Sequence, residues 1–153
     1  MEIANSVLIK GDIDRIYRYA AEVEKWPEIL PHYRSVEILE QSETDRLVSM
    51  YCVRSFGIVM FPCKWQARQE LVPEKRQILF VHESGPVRGM KVAWILEQMP
   101  EGVRTSIEHH RPSSGNPLKN FYFDRVVGVL FIEAIASQTL ATIKTIVEGD
   151  LKV

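Results

Sequence analysis

Residues 117–148, PLKNFYFDRVVGVLFIEAIASQTLATIKTIVE, are the stretch on which the fold turns. Asn116-Pro117 offers a cap followed by a first-turn proline, and Gly149 a stop, so the spacing predicts one long helix between them. At about 100° per residue, Leu118, Tyr122, Val129, Ile132, Ala136, Leu140, Ile143 and Val147 fall on one stripe, a core-facing surface. Gln138, Thr142, Thr145 and Glu148 are polar on the far side. Val127, Leu130, Phe131, Ala134 and Ile135 give the middle of the helix a second apolar face, and a single sheet cannot bury both. Those five residues are therefore the expected surface for a homodimer or for peripheral membrane contact, with the apolar hairpin Phe56–Pro62 (FGIVMFP) beside it. Arg125 lies within the core stripe and Glu133 at its edge, where a charge is expensive unless it is paired or functional.

Upstream of this helix the period changes from helical to alternating. Strands are expected at 33–41, 45–55, 59–72, 77–84, 89–98 and 102–110, separated by short connections such as Ser42-Glu43-Thr44, Gly85-Pro86 and Pro100-Glu101-Gly102. Residues 2–9 (EIANSVLI) read as a first strand. Asp12 can cap a helix carrying Ile13, Ile16, Tyr17 and Ala20, and Pro27 stops it. WPEILP at 26–31 suits one short helical turn. The order predicts an α+β protein: a seven-stranded curved antiparallel sheet wrapped around a long C-terminal helix, with two short helices after strand 1. With 153 residues, the chain is expected to form a single domain over 1–153.

Composition narrows the function classes. The chain is 46% hydrophobic and 25% charged, with a formal net charge of −1. Its basic residues are scattered and matched by acids, which argues against nucleic-acid binding. Met1-Glu2 leads into a strand-like run rather than a secretory signal, and the nearly apolar stretch Val126–Ala136 falls short of the ~20 residues that cross a bilayer, so a cytoplasmic location is expected.

Alternation assigns faces to the strands. Phe61, Cys63, Trp65, Ala67 and Gln69 point inward, as do Ile78, Phe80 and His82, then Met90, Val92, Trp94 and Leu96, then Val103, Thr105, Ile107 and His109. Tyr51 is placed inward, which puts Cys52 outward and away from Cys63, so the two cysteines are expected as separate reduced thiols. No spacing of Cys, His and carboxylates matches a metal site.

Several motifs carry a resemblance: Asp14-x-x-Tyr17, Glu22-x-x-x-Trp26-Pro27, Pro31-x-Tyr33-x-x-Val36-Glu37, Trp65, Glu83-Ser84-Gly85-Pro86, Gly89-Met90-x-x-x-Trp94 and Thr139-Leu140-x-x-Ile143-Lys144-x-x-x-Glu148. In this order and spacing the chain resembles START-like (SRPBCC, helix-grip) polyketide cyclase/dehydrase and lipid-transport proteins, along essentially its whole length. The resemblance implies a hydrophobic cavity between sheet and long helix, with no cofactor. It covers aromatase/cyclases acting on poly-β-ketones as well as lipid or quinone carriers. In those aromatase/cyclases the strand holding the Trp65 equivalent carries an inward serine two residues on and an inward arginine four residues on. Here Ala67 and Gln69 stand in their places, and Arg68 should face solvent.

The expected cavity residues are Trp26, Tyr33, Tyr51, Trp65, Gln69, His82, Trp94 and Tyr122, a set of aromatic and amide groups suited to an apolar ligand with a few oxygens. Tyr33, His109 and Arg125 are the candidates for acid–base or electrophilic work. Two readings stand at this point: a binder of a hydrophobic small molecule (lipid, quinone or polycyclic, polyketide-like), and a polyketide cyclase/aromatase-dehydratase.

Overall fold

A computed structural model describes residues 1–85 and 87–149. Its strands are β1 (Glu2–Ile9), β2 (Tyr33–Gln41), β3 (Asp45–Phe56), β4 (Val59–Val72), β5 (Gln77–His82), β6 (Lys91–Met99) and β7 (Gly102–His110). They form one antiparallel sheet in the order β1-β7-β6-β5-β4-β3-β2. Each of β2 to β7 lies beside its chain neighbour, as short connections require. β1 sits beyond β7, so the helices α1 (Ile13–Ala21) and α2 (Trp26–Ile29) carry the chain from one edge of the sheet to the other. The architecture is α+β, a helix-grip. Pro86 of the expected Gly85-Pro86 turn lies outside the described residues.

Local chemistry sets the element ends. The Asp12 carboxylate accepts a hydrogen bond from the Arg15 amide at 3.1 Å and caps α1. Pro27 sits in the first turn of α2, where an amide N–H would have no helical partner. The Asn116 side chain accepts from the amides of Leu118 and Lys119 at 3.0 and 3.3 Å, opening the C-terminal helix.

That helix, Pro117–Gly149, is continuous but not uniform. α3 (Pro117–Tyr122) and α4 (Ala134–Gly149) are α-helical, while Phe123–Glu133 between them is π-helical. Bonding from i to i+5 turns each residue through a smaller angle than an α-helix does, so a stripe extrapolated at a constant angle drifts. The expected stripe holds in its second half, where Ile132, Ala136, Leu140, Ile143 and Val147 are buried. It fails in its first half: Leu118 is 81% exposed, Tyr122 53% and Val129 48%. The second apolar face is corrected for the same reason. Of its five residues, Val127, Phe131 and Ile135 line a cavity, while Leu130 is exposed. By length and composition Pro117–Gly149 would also suffice to cross a bilayer, which Val126–Ala136 alone did not indicate.

The β3–β4 register corrects two further expectations. Met50 pairs with Trp65, Tyr51 with Lys64 and Cys52 with Cys63. Directly opposed residues share a face, so an inward Trp65 places Met50 and Cys52 inward and turns Tyr51 to the other side. Cys52 and Cys63 are thus neighbours on the concave face; both are free thiols. A hydrogen bond between them raises the Cys52 thiol and lowers that of Cys63.

Candidate functional site

Between the concave face of the sheet and the C-terminal helix lies a cavity of about 280 Å³. For scale, a dry cavity of roughly 150 Å³ accepts benzene, so this one has room for two or three fused rings. Trp26 comes from α2, Tyr33 from β2, Met50 from β3, Trp65 from β4, His82 from β5, Trp94 from β6 and His109 from β7. The helix closes the roof with Val127, Phe131, Ile135 and Thr139, and Tyr122 stands half-exposed at the mouth.

The aromatic rings interlock. Trp26 meets Tyr33 edge-on with centroids 4.8 Å apart and Trp94 at 5.9 Å, and Tyr33 meets Trp65 at 6.2 Å. Trp65 and His82 stack at 5.7 Å with their planes within 6°. The Trp26 indole N–H donates to the Tyr19 carbonyl at 2.8 Å, so this polar tip is satisfied away from the cavity and its ring presents carbon.

The polar groups facing this apolar wall are few and uncharged. Among the described residues no Lys, Arg, Asp or Glu lines the cavity. Burial holds His82 and His109 near pKa 4, with the His109 neighbour adding to the depression at His82. Burial also pushes the Tyr33 phenol well above its usual range. Both imidazoles and the phenol are therefore neutral near pH 7. Behind Tyr33, the His32 Nε2 lies 2.8 Å from the Thr139 hydroxyl, which donates to the Ile135 carbonyl at 2.8 Å and also partners the Tyr33 phenol. Because the Thr139 proton goes to Ile135, His32 must donate to Thr139 through Nε2–H. Burial holds His32 near pKa 4 as well.

Six of the eight expected cavity residues, Trp26, Tyr33, Trp65, His82, Trp94 and Tyr122, meet at this cavity. Tyr51 does not, because the register turns it away. Gln69 points inward but is fully buried below the cavity: its carbonyl accepts from Arg46 Nε at 2.8 Å and its amide donates to the Ala21 carbonyl at 3.0 Å. Arg46, on the opposed position of β3, also reaches the Ala21 carbonyl at 2.7 Å and Glu24 at 3.0 Å. Of the three candidates for chemistry, Tyr33 and His109 reach the cavity. Arg125 is exposed and does not, because it lies on the π-helical segment whose phase departs from the extrapolated stripe. Sequence reasoning missed Thr139 as a cavity group; its signal was a hydroxyl beside Ala136, Leu140 and Ile143 on an otherwise apolar stripe. Among the described residues no cluster of three or more His, Cys, Asp or Glu side chains could hold a metal ion.

Comparison with known proteins agrees with this geometry. Residues 9–136 match the family model described as polyketide cyclase / dehydrase and lipid transport. A candidate polyketide cyclase of Streptomyces halstedii is 32% identical over 106 residues, covering 65% of this chain and 90% of that protein. The Zhui aromatase/cyclase from Streptomyces sp. R1128 superimposes with a TM-score of 0.75 at 17% identity, covering 99% of this chain and 95% of that one. The di-domain ARO/CYC BexL from the BE-7585A biosynthetic pathway gives a TM-score of 0.74 at 28% identity; the match takes in 97% of this chain but 46% of BexL.

Proposed function

Because the chain belongs to the polyketide cyclase/dehydrase and lipid-transport family, we propose that it binds a hydrophobic small molecule bearing a few oxygens in the cavity beneath its C-terminal helix. One observation carries this reading: an apolar cavity of about 280 Å³ lined by a few neutral polar side chains, Tyr33, His82, His109 and Thr139 among them. Apolar walls supply affinity, and a few placed polar groups fix orientation. We read residues 1–153 as one such binding unit, working in the cytoplasm.

Three tryptophans on the cavity wall make the test direct. 1-Anilinonaphthalene-8-sulfonate should bind at micromolar concentration and quench tryptophan emission. Trp94→Ala, removing a ring that contacts Trp26 at 5.9 Å, should weaken it about tenfold. Dye affinity unchanged by Trp94→Ala would place the dye elsewhere and count against the cavity.

A second reading, cyclisation and dehydration of a poly-β-ketone, is favoured by Tyr33 and His109 sharing the cavity and by the names of the relatives. The cavity shape would fold the chain while these two groups assist enolisation and water loss. Tyr33→Phe and His109→Ala should then lower kcat more than they raise KM, and Arg125→Met should change neither.

Self-association or peripheral membrane contact would use a different surface from the one first expected. Leu130 remains exposed and is joined by Val129, Phe121 and Leu118, while the tip of the β3–β4 hairpin exposes Ile58 to Phe61. The ring of Phe131 packs on Phe56 at 5.9 Å and on Phe61 at 6.2 Å, tying the hairpin to the helix beside the cavity mouth. Sedimentation at micromolar concentration should show a dimer, or flotation should show binding to liposomes, with Leu130→Glu abolishing either. A monomer that ignores liposomes excludes both.

A further inference from the structure

We propose that His82 and His109, from the strands on either side of β6, present their Nε2–H groups to the cavity as a pair of neutral hydrogen-bond donors, so that the ligand recognised here carries carbonyl oxygens. The inference rests on the cavity-binding reading and adds to it the class of polar group that the ligand must bear.

The argument begins with atoms that have no partner. The Nδ1 atoms of both His82 and His109 are buried from solvent and make no hydrogen bond. Neither Nε2 is among the sealed atoms, and neither finds a protein partner among the described residues. Since both residues line the cavity, the Nε2 edge of each ring is the one that meets it. Both rings are neutral near pH 7, so each carries a single N–H to place. On Nδ1 that donor would be entombed with nothing to receive it, the rarer and costlier kind of orphan. On Nε2 it faces a space that water or a ligand can fill, and this is also the intrinsically favoured tautomer of free histidine. The stack of Trp65 on His82, within 6° of parallel, holds that ring in plane and fixes the direction of its N–H.

Two donors in a wall with no Lys, Arg, Asp or Glu among the described residues select for acceptors. A ligand carbonyl satisfies a donor that a hydrocarbon of the same shape leaves bare, and unpaired site groups are what give such sites discrimination. In a cyclase the same two N–H groups would polarise substrate carbonyls, and the bare Nδ1 atoms, buried behind them, could not act as bases.

Two measurements test this. Long-range proton–nitrogen NMR on the free protein should show both imidazoles as Nε2–H tautomers. An Nδ1–H form at either ring would overturn the proposal and return His109 to the role of a base. Separately, 9-fluorenone and fluorene, tricyclic molecules alike in shape but differing by one carbonyl, should compete with the dye unequally. Fluorenone should bind about tenfold more tightly, and His82→Phe together with His109→Phe should remove the difference while leaving fluorene bound. Equal binding of the two by the unmodified protein would overturn the proposed ligand class. If neither compound binds, the cavity-binding reading itself falls, and the NMR spectra still decide the tautomer.

Discussion

Acidification from pH 7 to pH 4 should unfold this protein cooperatively, with three buried imidazoles as the cause. His32, His82 and His109 are each held near pKa 4 by burial, whereas in an unfolded chain each titrates near ~6.5. Between those values the unfolded state binds more protons than the folded one, so stability falls as pH falls. The stability is fully present above ~6.5, and the loss is complete below about 4. Each imidazole accounts for up to about 3 kcal/mol across that window, and three together reach on the order of 10 kcal/mol, the size of a whole domain's net stability of roughly 5–15 kcal/mol. Thermal melts by circular dichroism from pH 7.5 to 4 should therefore show Tm dropping steeply below pH 6.5. Since burial is the cause, His109→Phe should flatten the profile by about one proton. A Tm that stays level from pH 7 to 5, or a variant profile parallel to that of the unmodified chain, would show that burial does not depress these groups as described.

The sheet was legible in the sequence because period-two alternation and short turns constrain it redundantly; each inner strand has two neighbours whose register must agree. β2, β4 and β7 occupy the expected ranges, and β3, β5 and β6 differ by one or two residues at their ends. The site was less legible, for two reasons. Along β3 the true inward set is Arg46, Val48, Met50 and Cys52, and an inward arginine at its head makes that set look like the wrong face. Tyr51 was chosen for its ring, although its neighbour Met50 is the one opposite Trp65. On the last helix a constant angle per residue was assumed, and no residue type announces eleven residues of π-helix. That change of phase carried Val127, Phe131 and Ile135 onto the cavity and left Arg125 outside it. Trp26, Tyr33, Trp65, His82, Trp94 and His109 lie where β-alternation and the WP-x-x-x-P-x-Y spacing put them, ahead of any irregular segment.

Arg46→Met should destabilise the protein by about 3–5 kcal/mol, lowering Tm by roughly 10 °C for a domain of this size, with little effect on dye affinity. The Arg46 side chain is 10% exposed and holds three partners at once: Gln69 at 2.8 Å, the Ala21 carbonyl at 2.7 Å and Glu24 at 3.0 Å. Ala21 ends α1, and Glu24 lies in the turn that leads into α2, so this one guanidinium fastens both short helices to β3 and β4. Methionine keeps the apolar stem but withdraws the charge. Glu24 is partly exposed and can be rehydrated; the Gln69 carbonyl is fully buried and cannot. That asymmetry sets the size of the effect, because an orphaned buried acceptor loses its full desolvation energy. It also yields a sharper expectation. Arg46→Met combined with Gln69→Leu removes the orphaned Gln69 carbonyl but takes both donors from the buried Ala21 carbonyl, so the pair should cost about as much as Arg46→Met alone and less than the two single losses added together. Gln69→Leu by itself leaves only Arg46 Nε without its acceptor, because Glu24 and the Ala21 carbonyl still hold the guanidinium, and should destabilise less than Arg46→Met. Urea denaturation of the two single variants and the double variant measures this coupling. Additive losses would show that Arg46 and Gln69 act independently. If Gln69→Leu instead weakened dye binding and left stability intact, Gln69 would be a ligand contact after all.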